Sequence, residues 1–315
     1  MSPRKLVVSI VASSIALVCA LALFAADAQP QSGSWTIEPA DESGKVRFAL
    51  MQHSKDHSNH HESDWSPSSF EGLDLSIKSK HDVKFTIRRD AGRFECEGYI
   101  ENAEGAGVFH FFPDGKYAAN MTALGFSVEP DKLFGMAVQD VSLGFAKEMK
   151  NENLSGLDTD KLIAFRIFNV NSQFIKELRA EGLAATDSDK LIAFRIHGVS
   201  PEFVRSVRSA GYHPDQDELI AMRIHGATPE WMAQLKKEGY DHVELEKLIA
   251  FRIHGVSPEF IGKIESLGYK HPEPDQLIAM RIHGVTPEFI SNLKSRGMKD
   301  LTIDQLVSLR IHGID

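Results

Sequence analysis

The feature that most constrains this chain is an internal repeat of about 29 residues. The string Leu-Ile-Ala-Phe/Met-Arg-Ile-His-Gly, followed by Val/Ala-Ser/Thr-Pro-Glu, recurs through the second half of the 315-residue sequence. A period kept over several consecutive steps indicates a repeat architecture, in which each unit buries its apolar face against its neighbours. Steps of 29, 28, 29, 29 and 29 residues separate the repeated arginines, which are Arg166, Arg195, Arg223, Arg252, Arg281 and Arg310.

Six full units and a final half unit are predicted within residues 126–315. The first unit is a degenerate copy in which Ala137 takes the place of the arginine. Atypical terminal units are expected, because they cap the array with a different outer face. The units start near Asp131, Asp160, Asp189, Asp217, Glu246 and Asp275, and the half unit starts at Asp304.

Each unit is predicted to contain two short helices. In the third unit, Thr186 and Asp189 form a predicted cap pair for the first helix, and Gly198 can end that helix in the left-handed conformation. Ser200 is the predicted N-cap of the second helix, which ends at Gly211. Helices of roughly ten residues are marginal in isolation, so these must be stabilised by stacking. The sequence therefore predicts an α-solenoid of helix-turn-helix repeats.

The region before the repeats, residues 29–125, predicts a small antiparallel β domain. Strand-forming residues concentrate at 45–50, 82–88, 94–100 and 108–112, with Gly, Asn and Asp between them. We expect a glycine-rich turn to join the last two of these strands. Residues 53–69 are rich in His, Ser, Asp and Asn and predict a mobile loop. The predicted fold class is therefore α+β, a small antiparallel β domain followed by an α-solenoid.

The first 28 residues have the pattern of a secretory signal peptide. Arg4 and Lys5 precede an almost unbroken apolar run over 6–25, and small residues surround a predicted cleavage point after Ala28. We therefore expect an exported protein, periplasmic or extracellular. An uncleaved signal that anchors the chain in the membrane is the alternative, because the run is nearly long enough to span a bilayer.

Composition excludes several kinds of partner and chemistry. The net charge of -9 argues against nucleic acid or an anionic membrane as the main partner, since both are bound through clustered Lys and Arg. Cys96 is the one cysteine beyond the leader, so we expect no internal disulfide and a buried, inert thiol. Nucleophile-elbow and phosphate-loop motifs are absent from the sequence. These observations predict a protein that is not an enzyme and needs no cofactor.

The repeated arginine has two interpretations. At about 100° per residue it lies about 40° from the first Leu of the repeat, with the second Ile at about 140°, so we expect it to point into the apolar arc. A buried arginine needs a partner. We therefore predict a structural ladder in which each arginine bonds an acid or helix-end carbonyls in its own or an adjacent unit. The alternative is a basic groove for an acidic ligand.

The repeat also carries a histidine just before each glycine. At the end of a helix, such a histidine can cap free carbonyls and interacts favourably with the helix dipole when charged. A metal ladder or a pH sensor is the alternative. A shared zinc ion is disfavoured, because packed helices lie about 8–10 Å apart and zinc-ligand bonds are about 2 Å long. The predicted caps are His197, His225, His254, His283 and His312.

The candidate metal ligands are four other histidines, with Zn²⁺, Ni²⁺ or Cu²⁺ as the ion. Their spacings of three and four residues would align several imidazoles if the segment became helical on binding. A solvated polar loop is the alternative, since no cysteine framework supports the cluster. The histidine cluster is not a His-Glu-x-x-His motif, because Trp65 stands where the second His is required. The four are His53, His57, His60 and His61.

The repeat string resembles one found in exported bacterial proteins and in the C-terminal parts of some antirepressor metallopeptidases of the BlaR type. The segment 94–112, with its Gly-Ala-Gly-Val-Phe core, resembles the one that precedes those repeats, so the resemblance covers about residues 90–315. It implies an extracytoplasmic sensing or interaction module. The chain departs from the peptidases in lacking their multi-span membrane domain and zinc motif, so the resemblance does not imply proteolysis.

These features together predict a non-enzymatic extracytoplasmic module whose helical array binds a protein or a cell-envelope component. The alternative function is that of a periplasmic metal-binding protein, which would use the His53 to His61 cluster.

Overall fold

The computed structural model describes residues 31–42, 44–53 and 58–314. The predicted leader, its cleavage point after Ala28, and His57 lie outside the described residues. Among the helices that are described, none combines the length and the apolar character needed to cross a membrane. The described residues up to Ser172 form one compact part of the chain, and those from Gln173 onward form a second. We call these two parts the first unit and the second unit; in every other use, a unit is one repeat.

The first unit contains a six-stranded antiparallel sheet with the order β3-β2-β1-β6-β5-β4. The predicted α+β class is confirmed, because this sheet is followed by helices alone in the described part of the chain. The strands are β1 (Gln31–Pro39), β2 (Val46–His53), β3 (Ser58–Trp65), β4 (His81–Arg89), β5 (Gly92–Glu101) and β6 (Glu104–Pro113).

The strand β3 corrects the predicted loop over residues 53–69. Its residues pair with β2 from Ser58, opposite His53, to Trp65, opposite Val46. A short 3₁₀ turn then spans Pro67–Ser69. The polar sequence of β3 has few strand-forming side chains, and its place in the sheet comes from pairing with the apolar β2 at an edge.

The turn between β5 and β6 differs from the predicted glycine-rich turn. Asn102 and Ala103 form it, with φ angles of 53° and 65°, and two consecutive positive φ values are typical of a type I′ hairpin. Gly107 instead lies inside β6, opposite Gly98 of β5. A Cβ on Gly98 would lie 2.8 Å from the indole of the buried Trp35, so the absence of a side chain there makes room for that ring.

Fourteen helices follow the sheet in the described part of the chain. They are α1 (Gly115–Ala123), α2 (Lys132–Val138), α3 (Leu143–Asn151), α4 (Thr159–Ile167), α5 (Ser172–Ala180), α6 (Ser188–His197), α7 (Pro201–Ser209), α8 (Gln216–His225), α9 (Pro229–Lys237), α10 (Leu245–His254), α11 (Pro258–Ser266), α12 (Pro274–Ile282), α13 (Pro287–Ser295) and α14 (Ile303–Ile311).

Every full repeat supplies two of these helices and the final half repeat supplies one, as predicted from the sequence. We call the first helix of each unit the A helix (α2, α4, α6, α8, α10, α12 and α14) and the second the B helix (α3, α5, α7, α9, α11 and α13). Helix α1 lies before the repeats, within the region expected to be β structure. It begins after Asp114, whose carboxylate accepts hydrogen bonds from the amides of Lys116 and Tyr117.

The helix ends follow the predicted capping pattern with one exception. Gly198 ends α6 with a φ of 72°, and the Ser200 hydroxyl accepts a 3.2 Å hydrogen bond from the Phe203 amide, so both predicted caps are confirmed. The predicted N-cap of α6, Thr186, is one residue too early. The N-cap is Asp187, whose carboxylate accepts a 2.9 Å hydrogen bond from the Lys190 amide. A carboxylate there also interacts favourably with the positive end of the helix dipole.

In the first unit, the array begins by packing on the sheet. The Phe134 ring of α2 lies 5.7 Å from that of Phe94, 5.9 Å from that of Phe109 and 5.5 Å from that of Phe111, measured between centroids. All four rings are buried, and such aromatic contacts add to the free energy of apolar burial. The first A helix therefore completes the core of the sheet.

In the second unit, successive A helices from α6 to α14 contact one another, which is the stacking expected of a solenoid. Tyrosines that follow the B-helix glycines join neighbouring units. The hydroxyl of Tyr240, for example, donates a 2.7 Å hydrogen bond to the Pro272 carbonyl, and Tyr212 and Tyr269 do the same to Val243 and Leu301.

Candidate functional site

Four of the six repeated arginines join consecutive units by donating from Nε to a main-chain carbonyl, whereas the buried Nε atoms of Arg195 and Arg310 make no such bond among the described residues. In the second unit, the Nε of Arg223 donates to the His197 carbonyl at 3.2 Å, and that of Arg252 donates to the His225 carbonyl at 2.9 Å. Arg281 repeats the contact with the His254 carbonyl at 3.1 Å. Each acceptor lies in the last turn of the preceding A helix, where carbonyls have no partner within the helix.

The guanidinium of each of these arginines also packs on the preceding repeat. That of Arg252 lies over the Trp231 ring at 5.1 Å from the centroid. A Cβ on Gly226 would lie 2.8 Å from the Arg252 Nη2, so the left-handed glycine gives the guanidinium its space. The other arginines of the second unit lie over aromatic rings of the B helices in the same way: Arg195 over Phe174, Arg223 over Phe203, Arg281 over Phe260 and Arg310 over Phe289.

This geometry corrects the predicted direction of the arginines. Arg223, Arg252 and Arg281 are exposed to solvent along one side, rather than buried in the apolar arc. The guanidinium of each lies between an aromatic ring and a glycine. Arg195 is more covered, and this desolvation lowers its pKa, with the charge of Glu177 acting in the opposite direction.

A row of exposed isoleucines lies beside the arginines. The exposure of these isoleucines was not predicted from the sequence. This residue follows each arginine, and Ile196, Ile224, Ile253, Ile282 and Ile311 are 53%, 54%, 52%, 53% and 59% exposed in the second unit. We call these five the isoleucine row. The helical angle of about 140° had placed this isoleucine in the apolar arc, whereas the buried arc of the A helices is narrower. The sequence does contain a signal for this exposure, because the isoleucine recurs at a helical angle far from that of the buried Leu.

Two lysines of the second unit are paired with acids of the following repeat. Lys190 is paired with Asp217 and Lys247 with Asp275 at the N-terminal ends of the A helices. At the start of α9, hydrogen bonds from its own amide and from the Thr228 hydroxyl, with the nearby charge of Arg223, hold the pKa of Glu230 below its usual range. An ionised acid thus lies close to Arg223, which argues against a basic groove at this position.

The repeated histidines lie at the C-terminal ends of the A helices, as predicted. In His197, His225 and His254, the backbone carbonyl is the group that accepts the next arginine. The predicted side-chain cap is present at His312, whose Nδ1 lies 2.8 Å from the Ser308 carbonyl oxygen. At the remaining position, His283 is the C-cap residue of α12.

The structure separates the candidate metal ligands that it describes. His60 and His61 are adjacent in β3, so their side chains point to opposite faces of the sheet, which is incompatible with the proposed helical alignment. His60 is exposed, with its Nε2 3.5 Å from Glu62. His61 lies 6.1 Å from the Phe134 ring, and burial, with the charge of His60, lowers its pKa. Across the described residues, no three His, Cys, Asp or Glu side chains are placed to hold a metal ion.

The thiol of Cys96 is buried in β5, and burial raises its pKa well above the usual value. A thiol in that state is a poor nucleophile at neutral pH.

Comparisons with protein-family models, with curated proteins and with solved structures found no match to the chain.

Proposed function

We propose that the helical repeats form a non-enzymatic interaction module, which binds a protein partner, such as a protein of the cell envelope, through the isoleucine row. The observation that supports this is the exposure of the row, since each of its five residues is more than half accessible to water. An apolar group left in water forgoes about 0.8 kcal/mol of burial free energy per CH₂. An exposed isoleucine that recurs from repeat to repeat is therefore evidence of an interaction surface.

Stacked repeats also provide an extended surface along which equivalent residues line up. Because the A helices of the second unit contact one another in order, the five isoleucines fall on one side of the stack. A partner that covers this side would bury the same chemical group once in every unit.

We place this module outside the cytoplasm. The basic residues and apolar run at the start of the sequence support export. The resemblance of the repeat to the C-terminal region of BlaR-type antirepressor peptidases supports a role in interaction or sensing.

A triple variant tests the proposal: Ile224→Ser, Ile253→Ser and Ile282→Ser. The full chain is immobilised, and proteins captured from envelope extracts are quantified by mass spectrometry. We expect the variant to lose the partner that the wild-type chain captures. Its melting temperature should change little, because substitutions at exposed positions usually alter stability by only about ±0.5 kcal/mol each.

The matched control is Ile77→Ser, which replaces an isoleucine that is 40% exposed outside the repeats. This variant should capture the partner in wild-type amounts. Equal capture by the triple variant and the wild-type chain would contradict the proposal.

A further inference from the structure

A polar pocket lies in the first unit where β3, the end of β4 and the loop after α2 meet. Two arginines, Arg89 and Arg166, line it together with Asp140. Three serines, Ser63, Ser66 and Ser69, line it as well. None of its lining residues belongs to the isoleucine row.

Arg89 is under-bonded for a side chain so well covered. Its side chain is 18% exposed and lies over the Trp65 ring, 4.6 Å from the centroid. Within the described residues it donates one hydrogen bond, from Nη1 to the Arg88 carbonyl at 3.3 Å, and its buried Nε donates none. A guanidinium has five N–H donors, and an unpaired donor in a covered position calls for an explanation.

Asp140 is shared by the two arginines without bonding either closely. Its Oδ1 lies 3.4 Å from the Arg89 Nε, and its Oδ2 lies 3.5 Å from the Arg166 Nη2. Close charge-assisted hydrogen bonds between such groups measure about 2.7–2.9 Å. One carboxylate therefore leaves both guanidinium groups partly unsatisfied.

The position of Asp140 in the repeat is unusual. It has a φ of 52° and stands where Gly198 stands two units later. Aspartate tolerates this left-handed conformation less well than glycine does. The equivalent residue of the next repeat, Asn169, has a φ of 55° and no charge, so Asp140 differs from it by placing a carboxylate between the two arginines.

The rest of the lining adds donors and little net charge. Asp64 also lines the pocket, but its carboxylate lies 3.6 Å from the Arg47 guanidinium, which compensates it. The Ser63 oxygen accepts a 2.7 Å hydrogen bond from the Trp65 indole, so its own O–H remains a donor. The Ser66 hydroxyl contacts that of Ser68 at 2.8 Å.

We propose that this pocket binds the oxyanion of a small ligand, a carboxylate or a phosphate, between Arg89 and Arg166. A planar guanidinium presents paired donors that match either oxyanion, and the serine hydroxyls supply further hydrogen bonds. The bound oxyanion completes the hydrogen bonding that Asp140 leaves open. This goes beyond the proposed protein interaction and does not depend on it.

Calorimetric titration of the full chain tests the site with sodium phosphate and with sodium succinate, each against sodium chloride of equal ionic strength. We expect saturable binding of at least one of the two anions. Binding of phosphate alone identifies a phosphate ligand, and binding of succinate alone identifies a carboxylate; either result supports the site. Tryptophan fluorescence, to which the pocket-lining Trp65 contributes, provides a second readout.

Two variants and one control locate the binding. Arg166→Gln should weaken it about tenfold or more, because one of the two charged donors is lost. Asp140→Gly should strengthen it, because the competing carboxylate is removed and glycine is the residue of later units at this position. Arg252→Gln removes the same ladder contact outside the pocket and should leave binding unchanged.

The proposal is overturned if neither anion binds saturably to the wild-type chain or to Asp140→Gly. It is also overturned if Arg166→Gln and Arg252→Gln weaken binding equally, or if Arg166→Gln and Asp140→Gly both leave it unchanged.

Discussion

The guanidinium of Arg252 makes three contacts with the preceding unit at once. It donates to the His225 carbonyl, lies over the Trp231 ring and occupies the space beside Gly226. A planar guanidinium with several N–H donors can make all three contacts together, whereas the compact ammonium group of a lysine cannot. The residue thus stabilises the packing of two units although one side of it remains in water.

Replacing Arg252 with Met should lower the free energy of unfolding of the array by about 1–2 kcal/mol, through loss of a charge-assisted hydrogen bond and a cation-π contact. Arg252→Lys should recover only a small part of this loss. Urea unfolding followed by circular dichroism measures both. The control is Lys236→Met, at an exposed position of α9, which should change stability by less than about 0.5 kcal/mol. An unchanged Arg252→Met protein would show that the ladder is not stabilising.

At the scale of the element, the β5–β6 hairpin carries strain in its turn. Ala103 has a φ of 65°, in the region that glycine adopts without steric cost. An alanine in this conformation costs about 1–2 kcal/mol, while a glycine loses about 0.5–1 kcal/mol more in chain entropy on folding. The balance favours glycine at this position.

We therefore expect Ala103→Gly to stabilise the first unit by about 0.5 kcal/mol. Thermal unfolding monitored on the sheet signal in circular dichroism would show a higher midpoint. Ala119→Gly, at an exposed position inside helix α1 of the same unit, is the opposite control and should cost about 1 kcal/mol. A lower midpoint for Ala103→Gly would mean that the turn is not strained as its φ angles indicate.

The elements that could be predicted are those with local signals. The Ser200 cap and the Gly198 stop determine their helix ends within a few residues, so the sequence is sufficient. Strand β3 carries no such signal, because its stability comes from pairing with β2 across the sheet. The isoleucine row was missed for a related reason: periodicity identifies apolar residues but does not show which of them a neighbouring helix covers.

At the scale of the whole molecule, the second unit is a stack whose contacts recur with the repeat. Its arginine contacts join residues 26 or 27 positions apart, each reaching back to the unit before. In such an array, stability is approximately a sum over units and the interfaces between neighbours. Removing one complete unit should therefore preserve every remaining interface.

Deletion of residues 224–252 tests this property, since it joins Arg223 directly to Ile253 and restores the repeat string. We expect a helical protein that still unfolds cooperatively, at a lower midpoint because one interface is lost. The shorter deletion of residues 224–238 removes helix α9 and brings two A helices into succession, so it should be more damaging. Circular dichroism during heating compares the two. A long deletion that damages the protein more than the short one would contradict the repeat model.

The arginine bond to a backbone carbonyl also affects how the array can tolerate mutation. Such a bond depends on the identity of one residue only, because every residue has a carbonyl: Arg166 bonds the Gln139 carbonyl as Arg252 bonds that of His225. The Lys190 and Asp217 pair instead requires two matched side chains, and the lysine position is occupied by Glu218, Gln276 and Gln305 in other units. Sequence drift can therefore erase the ion pairs while the arginine contacts persist, and the units can diverge without losing their common spacing.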